Sequence, residues 1–171
     1  MAQQHIAVGI VVERRKVDSP WIDHAWAPLA VLPEPPGLVP WTKLAVEPDR
    51  TSFYLGPATL TLHSVDTAHF RENFQAGRAK LWVAIRPTGI DPELELVGVT
   101  ADPFEGEDYC ENTGDIIEQV PMPAPIAEQV LAFFDAHHVE REFIKRKRAE
   151  HDPRKGGGPR PEPGPRRGDG T

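Results

Sequence analysis

The chain has 171 residues, 39% hydrophobic and 26% charged, with a net charge of −7 and a single cysteine. That length suits one ordinary domain. One cysteine excludes a disulfide framework or a CxxC-type zinc site, and no apolar run approaches the roughly 20 residues that span a bilayer. The charge is split. The first 144 residues carry 10 basic and 22 acidic side chains, and the rest carry 9 basic and 4 acidic ones. Between Arg86 and Arg141 there are 13 acidic residues and no Lys or Arg. Adjacent blocks of opposite sign signal a partner or self-association, and the plainer reading is a solvated acidic face.

The elements follow in order. Ile6 to Val12 is apolar on both faces and predicts a central, doubly covered strand. A stretch rich in Pro and Trp comes next, broken into short extended pieces, with Leu29 to Leu32 as its strand. Phe53 to Leu62 predicts a strand interrupted at Gly56-Pro57, in which Ala58, Leu60 and Leu62 alternate with Thr59, Thr61 and His63. Ser64 or Asp66 caps a helix to about Ala76, with Gly77 as its stop. Lys80 to Arg86 and Leu94 to Thr100 form a hairpin.

Asp102-Pro103-Phe104-Glu105 reads as a helix start, with Asp102 as cap, Pro103 at the first turn and Glu105 closing a capping box. Asp115 to Val120 is a short strand. The longest helix covers about Pro125 to His138, with Ile126, Ala127, Val130, Leu131, Phe133 and Phe134 as its apolar stripe. From His151 on the chain holds five Pro and six Gly with no apolar anchor, a composition expected to be disordered. The fold class expected is a single α+β domain over residues 1–148. It has a mostly antiparallel sheet of five to seven strands, about three helices and a disordered tail at 149–171.

Few chemical motifs are present. There is no GxxxxGK[ST], no GxGxxG after a strand, no HExxH and no EF-hand loop. Cys110 lies among Glu107, Asp108, Glu111 and Asp115, whose charges oppose a thiolate, and it reads as a packing residue on a short helix. The three serines, Ser19, Ser52 and Ser64, have no nucleophile-elbow context. Glu105, Asp108 and Asn112 share a helical face but read as a solvated acidic surface. His137 and His138 close the long helix about 100° apart, which suits the negative end of a helix dipole better than one shared ion. His63 and His69 straddle a strand-to-helix turn, and nothing in the spacing forces them together. No catalytic residue, metal site or cofactor is therefore expected. The four histidines are the candidates for an alternative reading, a small ligand-binding domain or small enzyme with a His-containing pocket.

The sharpest charge feature is Lys145-Arg146-Lys147-Arg148. Phe143-Ile144 directly before it makes an apolar anchor followed by a basic hook, the composition of a protein-docking segment. Nucleic acid ranks lower as a partner, because the preceding domain is acidic and lacks interleaved basic and aromatic residues. The start of the chain shows no secretory signal, so a cytoplasmic location is expected and no membrane partner.

Several blocks carry a resemblance. Glu13-Arg14-Arg15, Pro20-Trp21, Trp26, Val31-Leu32-Pro33 and Trp41 come first. Leu60-Thr61-Leu62-His63, Asn73, Val83-Ala84-Ile85-Arg86 and Val99 to Glu105 follow. Val120-Pro121-Met122-Pro123, His137-His138-Val139 and Phe143 to Arg148 complete the set. Together they resemble the bacterial domain-of-unknown-function family 3305 over about residues 6–148. Gly106 stands where that family usually shows Ala, which weakens the short helix. The resemblance implies no activity. It implies a gene neighbourhood of molybdenum-dependent formate dehydrogenase, iron–sulfur proteins and a molybdoenzyme chaperone. The expected function is thus an accessory protein for maturation or assembly of that enzyme, with the dehydrogenase or its assembly factors as partners.

Overall fold

The computed structural model describes residues 1–140. Residues 1–139 make one compact unit. The docking segment Phe143–Arg148 and the tail at 149–171 lie outside the described residues.

Seven strands and three α-helices are present among those residues. In chain order they are β1 (Gln3–Lys16), β2 (His24–Leu32), β3 (Thr42–Val46), β4 (Arg50–His63), α1 (Thr67–Gln75), β5 (Lys80–Pro87), β6 (Leu94–Thr100), α2 (Pro103–Asp108), β7 (Ile116–Pro121) and α3 (Ala124–His137). Every strand pairing is antiparallel. The strands are divided between two sheets, ordered β2-β1-β4-β3 and β6-β5-β7. β2 lies against β7 and β4 against β6, so both sheets enclose one core.

The doubly apolar run of β1 explains its central place. Val8, Ile10 and Val12 are fully buried on one side, and Val11 is buried on the other. β5 plays the same part in the second sheet, with Leu81 to Ile85 buried throughout. Phe70 of α1 and Phe133 of α3 meet with ring centroids 6.4 Å apart and close the core from the helical side. Strand edges alternate as expected along β4, where Leu60 and Leu62 are buried and Thr59 is exposed.

Several local expectations change. β1, β2 and β4 are longer than their apolar runs, because ladder pairing carries the polar ends. β4 is continuous through Gly56-Pro57, and the interruption becomes a bulge. Ile10 pairs with Gly56 and Val11 with Tyr54, leaving Leu55 extra, and Gly56 takes a φ of 150°. β3 has no pattern of its own and forms by pairing with β4. Just before it, Trp41 adopts a φ of 73°, rare for a bulky residue. A hydrogen bond from its N–H to the Tyr54 carbonyl at 2.6 Å and packing on Trp26 and Phe53 hold it there.

Neither expected cap of α1 acts as one. Ser64 Oγ accepts from the N–H of Ala2, and the Asp66 side chain makes no cap bond. Asp102 does cap α2, accepting from the Phe104 N–H at 2.9 Å. Glu105 does not complete a capping box; its carboxylate accepts from Thr100 Oγ1 at 2.6 Å and from the Tyr109 hydroxyl at 3.4 Å. Burial first, and then the Glu105 charge, push the Tyr109 phenol well above its ordinary range. Leu131 is exposed and drops out of the α3 core stripe, while Ile126, Val130 and Phe133 remain. Cys110 is exposed rather than packed.

Gly106 has a packing reason. A Cβ there would stand 2.3 Å from the Trp82 ring, so its absence lets α2 lie on β5. The helix propensity lost at Gly106 is the cost of that close approach.

Candidate functional site

β4 ends at His63, and its ladder with β1 sets the position of the following turn. The N–H of Ser64 donates to the Ala2 carbonyl at 3.0 Å, pinning a 3-10 turn at Ser64–Asp66 to the beginning of β1. α1 starts directly after it. Asp66 and His69 are three residues apart, so they lie on one face of the first turn.

Asp102 comes to this face from the start of α2. It is 7% exposed. Its backbone N–H donates to Thr100 Oγ1 and its Oδ1 accepts from the Phe104 N–H. That leaves Oδ2, which stands 2.8 Å from His69 Nδ1. The Phe104 ring packs on the His69 ring at 4.4 Å. A carboxylate bonded to one imidazole nitrogen fixes ring orientation and leaves the other nitrogen available.

Asn73 locks this arrangement. It is buried, and its amide donates to the carbonyls of Lys80 at 2.8 Å and Ala101 at 2.9 Å. Its oxygen accepts from the Lys80 N–H at 2.9 Å. One side chain thus ties α1, which carries His69, to the residue preceding Asp102.

One donor atom from each of Asp66, His69 and Asp102 lies within 4.8 Å of the other two. Burial raises the Asp66 carboxyl above its ordinary value, and the Asp102 charge adds to that. The imidazoles of His69 and His63 pull in the opposite direction. His63 and His69 therefore both act on Asp66. His63 Nδ1 itself lies 3.1 Å from Gln3 Nε2.

The C-terminal end of α3 adds His138. Its Nδ1 lies 3.0 Å from Thr67 Oγ1, its ring stacks on Phe134, and its Nε2 is buried with no hydrogen-bond partner among the described residues. His137 packs on Phe133 instead, at 4.6 Å. The two neighbours part, as their helical angle requires.

Of the sequence candidates, the structure sets His63 and His69 both within electrostatic reach of Asp66, leaves His63 outside the Asp–His–Asp cluster, and sets His138 beside Thr67. His137 stays on its own helix. Phe143, Ile144, Lys145, Arg146, Lys147 and Arg148 lie outside the described residues. Sequence reasoning missed Asp66 and Asp102 as partners of His69. The Asp66–His69 spacing was a usable signal; the contact with Asp102, 33 residues on, had none.

A second polar cluster surrounds Trp26. Glu93 accepts from Trp26 Nε1 at 2.9 Å and lies 3.1 Å from His24 Nε2, and these bonds hold its carboxyl below the ordinary range. Arg14 lies over Trp26 and Phe53. A cavity of about 210 Å³ is lined by Trp41, Leu55, Gly56 and Pro57 and by Pro92, Leu94 and Leu96. None of the four candidate histidines lines it.

Fold and site define an antiparallel α+β domain with an Asp–His–Asp cluster where helix ends meet. The chain belongs to the family described as Protein of unknown function (DUF3305), whose model matches residues 7–147. No curated protein and no solved structure matches it. No helix among the described residues is long and apolar enough to cross a membrane.

Proposed function

We propose that this protein is a non-catalytic accessory factor that works by binding another protein. We take its partner to be a molybdenum-dependent formate dehydrogenase or a factor that assembles it. The observation supporting a binding role is the exposure of large apolar side chains between Trp21 and Val46. Trp21 is 88% exposed, Val39 75% and Val46 70%, and Ile22, Leu38 and Leu44 are exposed as well. Among the described residues β3 lies at the end of its sheet and pairs only with β4, and its residues from Lys43 on are exposed. Leu44 and Val46 on this edge strand, with Leu38 and Val39 shortly before it, are a means of recruiting another chain, while Trp21 and Ile22 precede β2 at the other end of the sheet.

The segment Phe143–Arg148 supplies the second element of this reading. Phe143 and Ile144 are a small apolar anchor, and the four cations steer and align it on an acidic surface. The choice of enzyme rests on the gene neighbourhood that the family resemblance implies.

The experiment is a deletion strain grown on formate, paired with affinity capture of the tagged full-length chain. The dehydrogenase polypeptide is made without the gene, but formate oxidation is low and molybdenum or iron loading incomplete. Capture recovers a dehydrogenase subunit or its assembly factor. Changing Lys145, Arg146, Lys147 and Arg148 each to Glu slows that association while the domain stays folded. Normal formate oxidation and normal metal content in the deletion strain would remove the reading.

A further inference from the structure

The convergence of Asp66, His69 and Asp102 has a chemical meaning of its own. The Asp66 carboxylate is not used as a helix cap. His69 is oriented by Asp102 and braced by Phe104. Asp102 is buried, with its other oxygen and its backbone N–H already engaged. Asp102 is thus held by bonds that an ion at Oδ2 leaves intact, and the Phe104 ring braces His69 once the ion takes the place of its bond to Asp102.

The distances suit an ion. Metal–ligand bonds of about 2.1 Å put neighbouring ligand atoms about 3.0 Å apart at octahedral angles and about 3.4 Å at tetrahedral ones. His69 Nδ1 and Asp102 Oδ2 stand at 2.8 Å, and Asp66 offers a carboxylate oxygen within 4.8 Å of a donor atom on each, a gap that rotation of the half-exposed Asp66 side chain closes to ligand spacing. The geometry points to a divalent transition-metal site formed by Asp66, His69 and Asp102, in which the ion replaces the proton between His69 and Asp102.

The donor types select the ion. Imidazole with two carboxylates suits zinc, manganese, iron(II) or cobalt; the imidazole disfavours magnesium and calcium, and the set contains no thiolate for a softer ion. Two carboxylates also balance the two charges of the ion. His63 brings a second imidazole within electrostatic reach of Asp66. Asp66 and His69 are partly exposed, which gives the ion a way in.

This site does not depend on the partner reading. A chain that binds metal but no dehydrogenase, or the reverse, separates the two.

The test uses the full-length chain, stripped with a chelator and titrated with Zn²⁺, Mn²⁺ and Co²⁺ by calorimetry, with visible absorption recorded for cobalt. One equivalent binds, and cobalt gains the d–d bands of a mixed nitrogen–oxygen site. Asp66→Asn and His69→Gln each weaken binding at least about tenfold. His137→Gln and His151→Gln leave it unchanged. Asp66→Asn is the decisive variant, since that side chain caps nothing, and its thermal midpoint without metal confirms folding. No saturable binding to the folded chain below about 1 mM of any of the three ions would overturn the site. So would binding that survives the Asp66→Asn/His69→Gln double variant, or binding that is lost in His151→Gln.

Discussion

Replacing Asn73 by Ala tests how the two halves of the cluster are held. The side chain is 3% exposed and makes three hydrogen bonds, all to backbone groups. Truncation leaves the Lys80 N–H and the carbonyls of Lys80 and Ala101 without these partners. A buried group that loses its partner costs about 1–3 kcal/mol. The two carbonyls sit at the low end of that range, because each keeps a second lone pair. The expected loss is about 3–4 kcal/mol, a large share of a domain's total stability.

At about 3–4 °C per kcal/mol for a chain of this size, the midpoint falls by roughly 10–15 °C. Urea unfolding followed by tryptophan fluorescence measures the free energy, and calorimetry measures the midpoint. Asn73→Asp is the informative companion. It keeps the acceptor for the Lys80 N–H but sets a carboxylate against two carbonyls, so at neutral pH it is at least as destabilising as Ala. A loss below about 1 kcal/mol for Asn73→Ala, at an unchanged urea slope, would refute the claim that this amide joins α1 to the start of α2.

Two other predictions concern packing and charge. Gly106→Ala gains about 1 kcal/mol of helix propensity but drives a Cβ into the Trp82 ring, at a cost of about 1–3 kcal/mol. The net is a loss of up to about 2 kcal/mol, and a variant more stable than the parent in urea would show that Trp82 moves aside freely. Asp115 accepts from Arg86 Nε at 2.6 Å and from a terminal Arg86 nitrogen at 3.0 Å, and these bonds lower its carboxyl below the ordinary 3.8. A lowered folded value stabilises above the unfolded one and is lost as pH falls through the folded one. The stability gap between the parent and Asp115→Asn is therefore constant above pH about 5 and closes below pH about 4; a gap that stays constant down to pH about 2.5 would count against the pair.

The sequence by itself determined the elements whose signal is local. The apolar run Ile6–Val12 marked a central strand, and the structure covers its second face at Gly9 and Val11 but leaves Ala7 exposed. Asp102-Pro103 marked the start of α2, since the cap and the proline act within one turn. The periodicity of Ile126, Val130 and Phe133 placed α3 to within a residue at each end.

What failed locally depended on neighbours. β3 exists because β4 offers it a ladder, and its own residues show no pattern. Glu105 turned from the cap box to Thr100 and Tyr109, and Gly106 owes its place to Trp82, 24 residues earlier. Leu131 sits on the apolar side of its helix by period, yet α3 buries only a narrow stripe.

The candidate site divides the same way. Asp66 and His69 meet because a helix brings residues three apart onto one face, which sequence spacing already contains. Asp102 meets them because β5 and β6 carry the chain away and back, and because the Asn73 amide locks α1 against Ala101. Only the tertiary structure decided that contact, since hydrogen bonds between distant segments leave no period in the residues that make them.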